Sequence, residues 1–419
     1  MPIPTRVRRA ALPLRGSDLR GVARLGVDAT LGVTAVVEGM HAAIAQRAAP
    51  LGAPGVTRTT GLTGFVYGVV RGSTRLVGRA LDVALGPFGG NDAALAVSPR
   101  REAFLAALNG VWGDHLAASG NPLAITMALR VEGRALDLAA PSLASQLPQA
   151  TGRIVVLAHG LCMNDLQWHR KGRDHGRALA SAAGFTPVYL HYNSGLHVPA
   201  NGRRLDALLD DLVQRWPVPV KELAIIGHSM GGLVARSACR FAEQRQAPWR
   251  NMLRRLVCLG TPHHGAPLER GGHLIDLALG VSPYAAPLAR LGKARSAGIR
   301  DLRFGNVHED DVRERDHRPQ RRDDRHPVPL PHGVEVFLVG ATRAAAARGR
   351  RGHPSGDGLV PLASALGEHR QAALAVTVPA ARRLIVTRAN HFDLLDRPEV
   401  EAQLCRWLAG DSSGARRKG

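Results

Sequence analysis

The sequence predicts an α/β domain preceded by a helical region, and three observations carry that expectation. The hexapeptide Gly227-His228-Ser229-Met230-Gly231-Gly232 follows the apolar run Leu223-Ala224-Ile225-Ile226 and precedes a helix-forming stretch from Leu233 to Glu243. It is a G-x-S-x-G turn in the strand-to-helix setting that such a turn requires. Other short apolar runs (Arg153–Ala158, Thr186–Tyr192, Arg254–Leu259) are separated by stretches with helical spacing. Before residue 121 the apolar residues recur instead at steps of three and four, as on one face of a helix.

Taken in order, Leu19, Val22, Ala29, Val33, Val37, Met40 and Ile44 mark a first amphipathic helix. A Pro- and Gly-containing break at 49–56 separates it from a second, marked by Phe65, Val69, Leu76, Leu81 and Leu85. Pro99 opens a third that reaches about His115, proline being suited to a first helical turn. These helices either pack on one another and on the rest of the chain, or form a module that docks on membrane or caps a pocket. Asn121-Pro122 marks a boundary. Leu123 to Val131, a Glu132-Gly133 turn and Arg134 to Leu138 read as a strand hairpin, and Pro141 to Gln149 as a loop into the Ile154 strand. Leu205, Leu208, Leu209 and Leu212 form the apolar face of a helix after the Thr186 strand. Further strands are expected at Val334–Val339 and Leu384–Thr387. Between the Arg254–Leu259 strand and the Val334 strand lies a long insertion, 266–331, placed where a substrate-gating lid would sit. Within it, Lys293 to Pro327 mixes Lys and Arg with Asp and Glu and reads as a solvated segment.

The chemistry follows from the elbow. A serine at the tip of a sharp turn holds a strained backbone, and its glycine neighbours admit the strand and helix on either side. The following helix offers unpaired N–H groups and the positive end of its dipole. Acyl transfer then needs a base, an orienting carboxylate and oxyanion donors, in the chain order Ser, Asp or Glu, His. Asp357, in Ser355-Gly356-Asp357-Gly358-Leu359-Val360-Pro361, suits a carboxylate delivered by a loop after the Val334 strand. His391 lies just past the Leu384 strand, in Arg388-Ala389-Asn390-His391-Phe392-Asp393. Asp393 and Asp396 are other acids nearby, but they lie too close in sequence to His391 to orient its far nitrogen. The oxyanion donors are expected to be the backbone N–H groups of Met230 and of Leu161, the latter following His159-Gly160 at the end of the Arg153 strand.

These segments resemble the alpha/beta-hydrolase superfamily and, within it, bacterial lipases and esterases. The resemblance rests on VVLAHGL, IIGHSMGG, CLGTPHHGAP, GDGLVP and NHFDLL, and it covers roughly residues 121–409. The stretch Leu259 to Pro267 is also similar to GPI inositol-deacylase-like and triacylglycerol-lipase-like members. The resemblance implies an eight-stranded, mostly parallel sheet with helices on both faces, and hydrolysis of a small-molecule or lipid carboxylic ester without a cofactor. An acyltransferase or amidase using the same triad, or a membrane-associated scaffold with an idle site, are the alternatives, because a fold does not choose the acceptor.

Composition narrows the remaining classes. The chain has 419 residues and a formal net charge of +21, with four cysteines. It divides on this reading into a helical region (1–120), a hydrolase domain (121–412) and a basic tail (413–419). No aromatic-interleaved basic strand or nucleic-acid motif accompanies the charge, so no nucleic-acid partner is expected. In the first 25 residues Arg6, Arg8, Arg9, Arg15, Arg20 and Arg24 face only Asp18. Peripheral contact with anionic membrane is one reading of these arginines and solubility is the other. His263-His264, with His159, His169, His191 and His197 upstream, fits no zinc spacing, and the cysteines form no C-x-x-C, so no metal is expected. With no secretory pattern, no apolar run of about 20 residues and no disulfide framework, the sequence reads as a cytoplasmic protein.

Overall fold

A computed structural model of the chain describes residues 15–47, 59, 61–86, 97–139, 142–266, 296–315, 323–345 and 356–409. The Pro/Gly break at 49–56, the C-terminal tail and part of the expected lid (267–295 and 316–322) lie outside the described residues. The chain forms two compact units, one built from residues up to 101 with 116–124, the other from 102–115 with everything from 125 onward.

In the first unit, helices α1 (Gly16–Arg47) and α2 (Gly61–Leu85) pack side by side. They run antiparallel, because residues 20 and 24 of α1 meet residue 82 of α2 while residue 38 meets residue 71. Helix α3 (Pro99–Ala118) is broken at Trp112, whose φ of −130° is not helical, and its residues 102–115 belong to the second unit.

The second unit is built on an eight-stranded sheet. Its strands are β1 (Ala128–Val131), β2 (Arg134–Ala135), β3 (Arg153–Ala158), β4 (Thr186–His191), β5 (Glu222–His228), β6 (Leu253–Leu259), β7 (Glu335–Thr342) and β8 (Arg383–Thr387). The order across the sheet is β2-β1-β4-β3-β5-β6-β7-β8. The first two strands are antiparallel to their neighbours, and β4 through β8 are all parallel. The expected hairpin is there but shorter, with Leu123 to Met127 outside the strand. The expected loop at 141–149 contains the short helix α4 (Ser142–Gln146), whose Leu143 is buried.

Parallel strands covered on both faces bury every side chain, which is why β3 and β5 read as unbroken apolar runs rather than alternating ones. The coverage comes from α5 (His175–Ala183), α6 (Val198–Arg215), α7 (Met230–Arg245) and the C-terminal helix Pro398–Ala409. α6 packs against α7, and α5 against the C-terminal helix. β4 and β5 flank β3 on opposite sides, so the connections leaving the ends of β3 and β5 diverge. Such a reversal opens a crevice at the C-terminal edge of the sheet.

The charge-rich segment departs from expectation. Helix α8 (Ala297–Phe304) buries Ala297, Ile299 and Leu302, and a further helix α9 spans Glu309–Arg315. Asp301 is buried and accepts hydrogen bonds from the Val198 N–H (2.8 Å) and the Asn306 amide (3.0 Å), with His197 Nδ1 at 3.0 Å. Arg325 is buried too, donating to the His263 carbonyl (3.0 Å) and pairing with Asp323 (2.7 Å). Asp301 and Arg325 are held in internal contacts, so the described residues around them are packed structure and not a solvated run.

Candidate active site

Strand β5 ends at His228, and Ser229 takes φ 54° and ψ −121° before α7 begins at Met230. A non-glycine residue rarely holds such a conformation, and the surroundings enforce it. The Ser229 N–H donates to the Leu259 carbonyl at the end of β6 (2.8 Å). A methyl group on Gly227 would run into the backbone of Gly231 and Gly232, one on Gly231 into the Ala158 carbonyl, and one on Gly232 into Thr261. All three glycines of the motif are therefore demanded by close approach. Ser229 is 7% exposed.

The same packing brings the end of β3 to the serine. A Cβ on Gly160 would lie 3.1 Å from Ser229 Cβ. The loop beyond it is fixed by His159, whose Nδ1 donates to the Gly160 carbonyl (2.9 Å) while Nε2 accepts from the Tyr192 N–H (3.4 Å). The Tyr192 hydroxyl donates to the His159 carbonyl (2.7 Å), and the two rings stack 4.3 Å apart. Burial lowers the His159 pKa to about 3, so the ring is neutral and keeps one tautomer. Cys162 follows with φ 60°, and its N–H donates to Ser194 Oγ (3.0 Å). The Leu161 N–H has no hydrogen-bond partner among the described residues. The Met230 N–H opens a helix and belongs to the set that a helix cannot pair internally.

Asp357 and His391 meet. Asp357 is fully buried; its Oδ1 accepts the Leu359 and Val360 N–H groups (2.9 and 2.7 Å), and its Oδ2 lies 2.7 Å from His391 Nδ1. The two backbone donors hold one oxygen and leave the other aimed at the imidazole. His391 is 2% exposed, at the start of a 3₁₀ turn, His391–Leu395. Asn390 caps that turn together with Asp393, and Asp396 pairs with Arg170 (2.7 Å). Neither alternative acid is used by the imidazole. Beneath the ring is Gly260, just after β6, where a Cβ would sit 3.1 Å from His391 Cε1. With φ at 58°, Gly260 meets both demands, a left-handed backbone and a flat seat for the ring.

Ser229, Asp357 and His391 thus lie at the C-terminal rim of the sheet, on the connections after β5, β7 and β8. His228 is a participant that the sequence did not single out. Its Nε2 donates to the His391 carbonyl (3.2 Å) and its ring centre lies 4.7 Å from that of His391. Burial, reinforced by the neighbouring His391, holds its pKa well below the ordinary value. It occupies a variable place in G-x-S-x-G, so nothing in the spacing marks it. The middle of α3 was equally unmarked. Gly110 packs on Cys162, and the Asn193 amide donates to the Gly113 carbonyl (2.8 Å), so this helix braces the loops after β3 and β4.

His263 and His264 belong to the loop after β6. His263 is 1% exposed and lies 3.2 Å from an Arg236 nitrogen; the His264 N–H donates to Ser364 Oγ (3.0 Å). Burial lowers the pKa of both, that of His264 to about 4. His191 and His197 pair with Asp165 and Asp301. Among the described residues no three metal-ligating side chains come together.

Residues 149–319 match a family described as the PGAP1-like alpha/beta domain. Among solved structures, the chain is similar to the mature form of Bacillus licheniformis lipase BlEst2, with 20% identity and a TM-score of 0.37 over 58% of this chain and 86% of that one. Aspergillus fumigatus lipase B gives 15% identity and a TM-score of 0.36, over 61% and 52% of the two chains. The Pyrococcus furiosus esterase Pf2001 gives 14% and 0.37, over 62% and 81%. No curated protein matches the sequence. The family match, the strand order and the elbow agree, and the fold is that of the alpha/beta hydrolases.

Proposed function

We propose that this chain, with its alpha/beta-hydrolase fold, is a serine hydrolase that cleaves carboxylic esters through an acyl-enzyme. The observation that carries the reading is the 2.7 Å contact between Asp357 and His391 Nδ1, on the same rim of the sheet as Ser229, which is held at positive φ. The carboxylate fixes the tautomer in which His391 Nε2 has a free lone pair, and it stabilises the imidazolium that forms. In the proposed sequence Nε2 takes the Ser229 hydroxyl proton as Oγ attacks the ester carbonyl. The carbonyl oxygen becomes an oxyanion facing the Leu161 and Met230 N–H groups, each such donor contributing about 3–4 kcal/mol. Collapse expels the alcohol, which receives the proton from Nε2. Water, deprotonated by His391, then attacks the acyl carbonyl and releases the acid, returning the proton to Ser229. His228 acts as a positioning residue through the His391 carbonyl.

The test is hydrolysis of p-nitrophenyl esters of graded acyl length by the full chain and by Ser229→Ala. Loss of the nucleophile is expected to lower turnover by about 10⁶-fold. Equal turnover by the two proteins would overturn the assignment. The chain-length optimum separates an esterase from a triacylglycerol-lipase-like activity, and product analysis with an alcohol present separates hydrolysis from acyl transfer.

A further inference from the structure

The hairpin of α1 and α2 is polar within and apolar without. Its seam is made of ion pairs: Arg20 Nε and Arg24 Nε donate to Asp82 Oδ1 (2.8 and 2.6 Å), and Arg71 pairs with Glu38. Hydrogen bonds from Arg24 and Arg20 hold the Asp82 carboxyl well below the usual carboxylate range. Gly78 of α2 admits Val27 of α1 at the seam. The large apolar residues face away from it. Phe65 is 68% exposed, Leu76 69% and Val83 78%, joined by Val66, Val69, Val70 and Val77 on the same helix. On α1 the face marked by the sequence is also the uncovered one: Leu19, Val22, Val33 and Val37 are exposed. The side chains of Met40 and Ile44 lie outside the described ones.

At 100° per residue, Phe65, Leu76 and Val83 of α2 fall in one row, with the valines beside it, so the apolar face covers close to half the helix circumference. From Phe65 to Val83 that face runs about 27 Å. Arg75 and Arg79 are exposed and sit along the margin next to the same row. A cavity of about 270 Å³ opens at this margin, lined by Arg24, Arg75 and Arg79 together with Asp28 and Asp82. No helix among the described residues is long and apolar enough to cross a membrane.

We propose that the α1–α2 hairpin lies in the plane of a membrane surface bearing anionic phospholipid, with its apolar face among the acyl chains and Arg75 and Arg79 at the headgroups. A wide apolar face with arginines at its edge is the pattern of an interfacial helix, since the guanidinium reaches water and phosphate while its stem stays in the apolar layer. Charge selects this occupant over a second copy. The chain carries +21, so two copies repel, whereas an anionic bilayer attracts. The inference does not depend on the esterase reading.

Flotation of the full chain with phosphatidylcholine vesicles, with and without phosphatidylglycerol, tests it. The chain is expected to float with the anionic vesicles, and Ser229→Ala to float equally, so failure of the hydrolase reading leaves this result intact. Arg75→Gln with Arg79→Gln is expected to weaken binding to anionic vesicles by roughly 25-fold, about fivefold per charge. Phe65→Asp with Leu76→Asp is expected to weaken it by at least about 100-fold, with unchanged circular dichroism because both side chains are exposed. No flotation of the wild type, or full flotation of the Phe65/Leu76 variant, overturns the proposal. A wild-type dimer that the Phe65/Leu76 variant makes monomeric, without vesicle binding, overturns it in favour of a second copy.

Discussion

Ser229, Asp357 and His391 are spread over 163 positions of the sequence, and each is held by a different local device. Strain at an elbow, two backbone donors on one carboxylate oxygen, and an Asn-capped 3₁₀ turn fix them in turn. Removing the charge while keeping the shape isolates the role of the acid. Asp357→Asn presents an amide to His391 Nδ1 and permits the wrong tautomer, so kcat for p-nitrophenyl esters is expected to fall by about 10⁴-fold with the fold retained. A variant within tenfold of wild type would remove Asp357 from the mechanism. These three residues were legible because each stands in a local pattern whose chemistry allows few substitutes. His228 was not, because its contact is with a carbonyl 163 residues away and a backbone partner imposes no pattern on the sequence.

Among the elements, the strands were read within a few residues, since burial on both faces turns them into unbroken apolar runs. Around Asp301 and Arg325 the charged segment after β6 is packed where a solvated run was expected, because alternating charge looks the same whether it is solvated or paired inside. Asp301 tests the distinction. With three donors around it at 1% exposure, Asp301→Ala leaves buried polar groups unpaired, and a stability loss of about 3–5 kcal/mol is expected in urea unfolding. A loss under about 0.5 kcal/mol would mean that water already solvates this helix. For α1 and α2 the sequence revealed amphipathic helices but not which face the neighbour covers. Ion pairs hold the seam and leave the apolar residues outward, the reverse of the usual arrangement.

Across the whole molecule, the buried histidines couple stability to pH. His159, His175, His228 and His263 are held below their ordinary value by burial, His159 at about 3. In the unfolded chain each takes a proton near pH 6.5, while in the folded state it does so only at lower pH. Below about pH 6.5 the unfolded state therefore binds more protons, and stability falls as pH falls, until the folded values are passed. Each such group contributes up to about 1.4 kcal/mol per pH unit. Thermal unfolding is expected to give a Tm that is flat above pH 7 and declines steeply from 6.5 toward 4. A Tm unchanged between pH 7 and 4.5 would contradict the neutral, buried state of these rings.

What the chain determined through its sequence alone is local: the strand-turn-helix at Ser229, the loops that carry Asp357 and His391, and the helical periodicity at the N-terminus. Each depends on backbone sterics and hydrophobic spacing within a few residues, which a sequence displays directly. Tertiary structure decided what depends on distant partners. It chose which oxygen of Asp357 meets which nitrogen of His391, seated that ring on Gly260, and left one face of α1 and α2 bare. Such contacts join residues far apart along the chain, and neither burial nor proximity is written in any one segment.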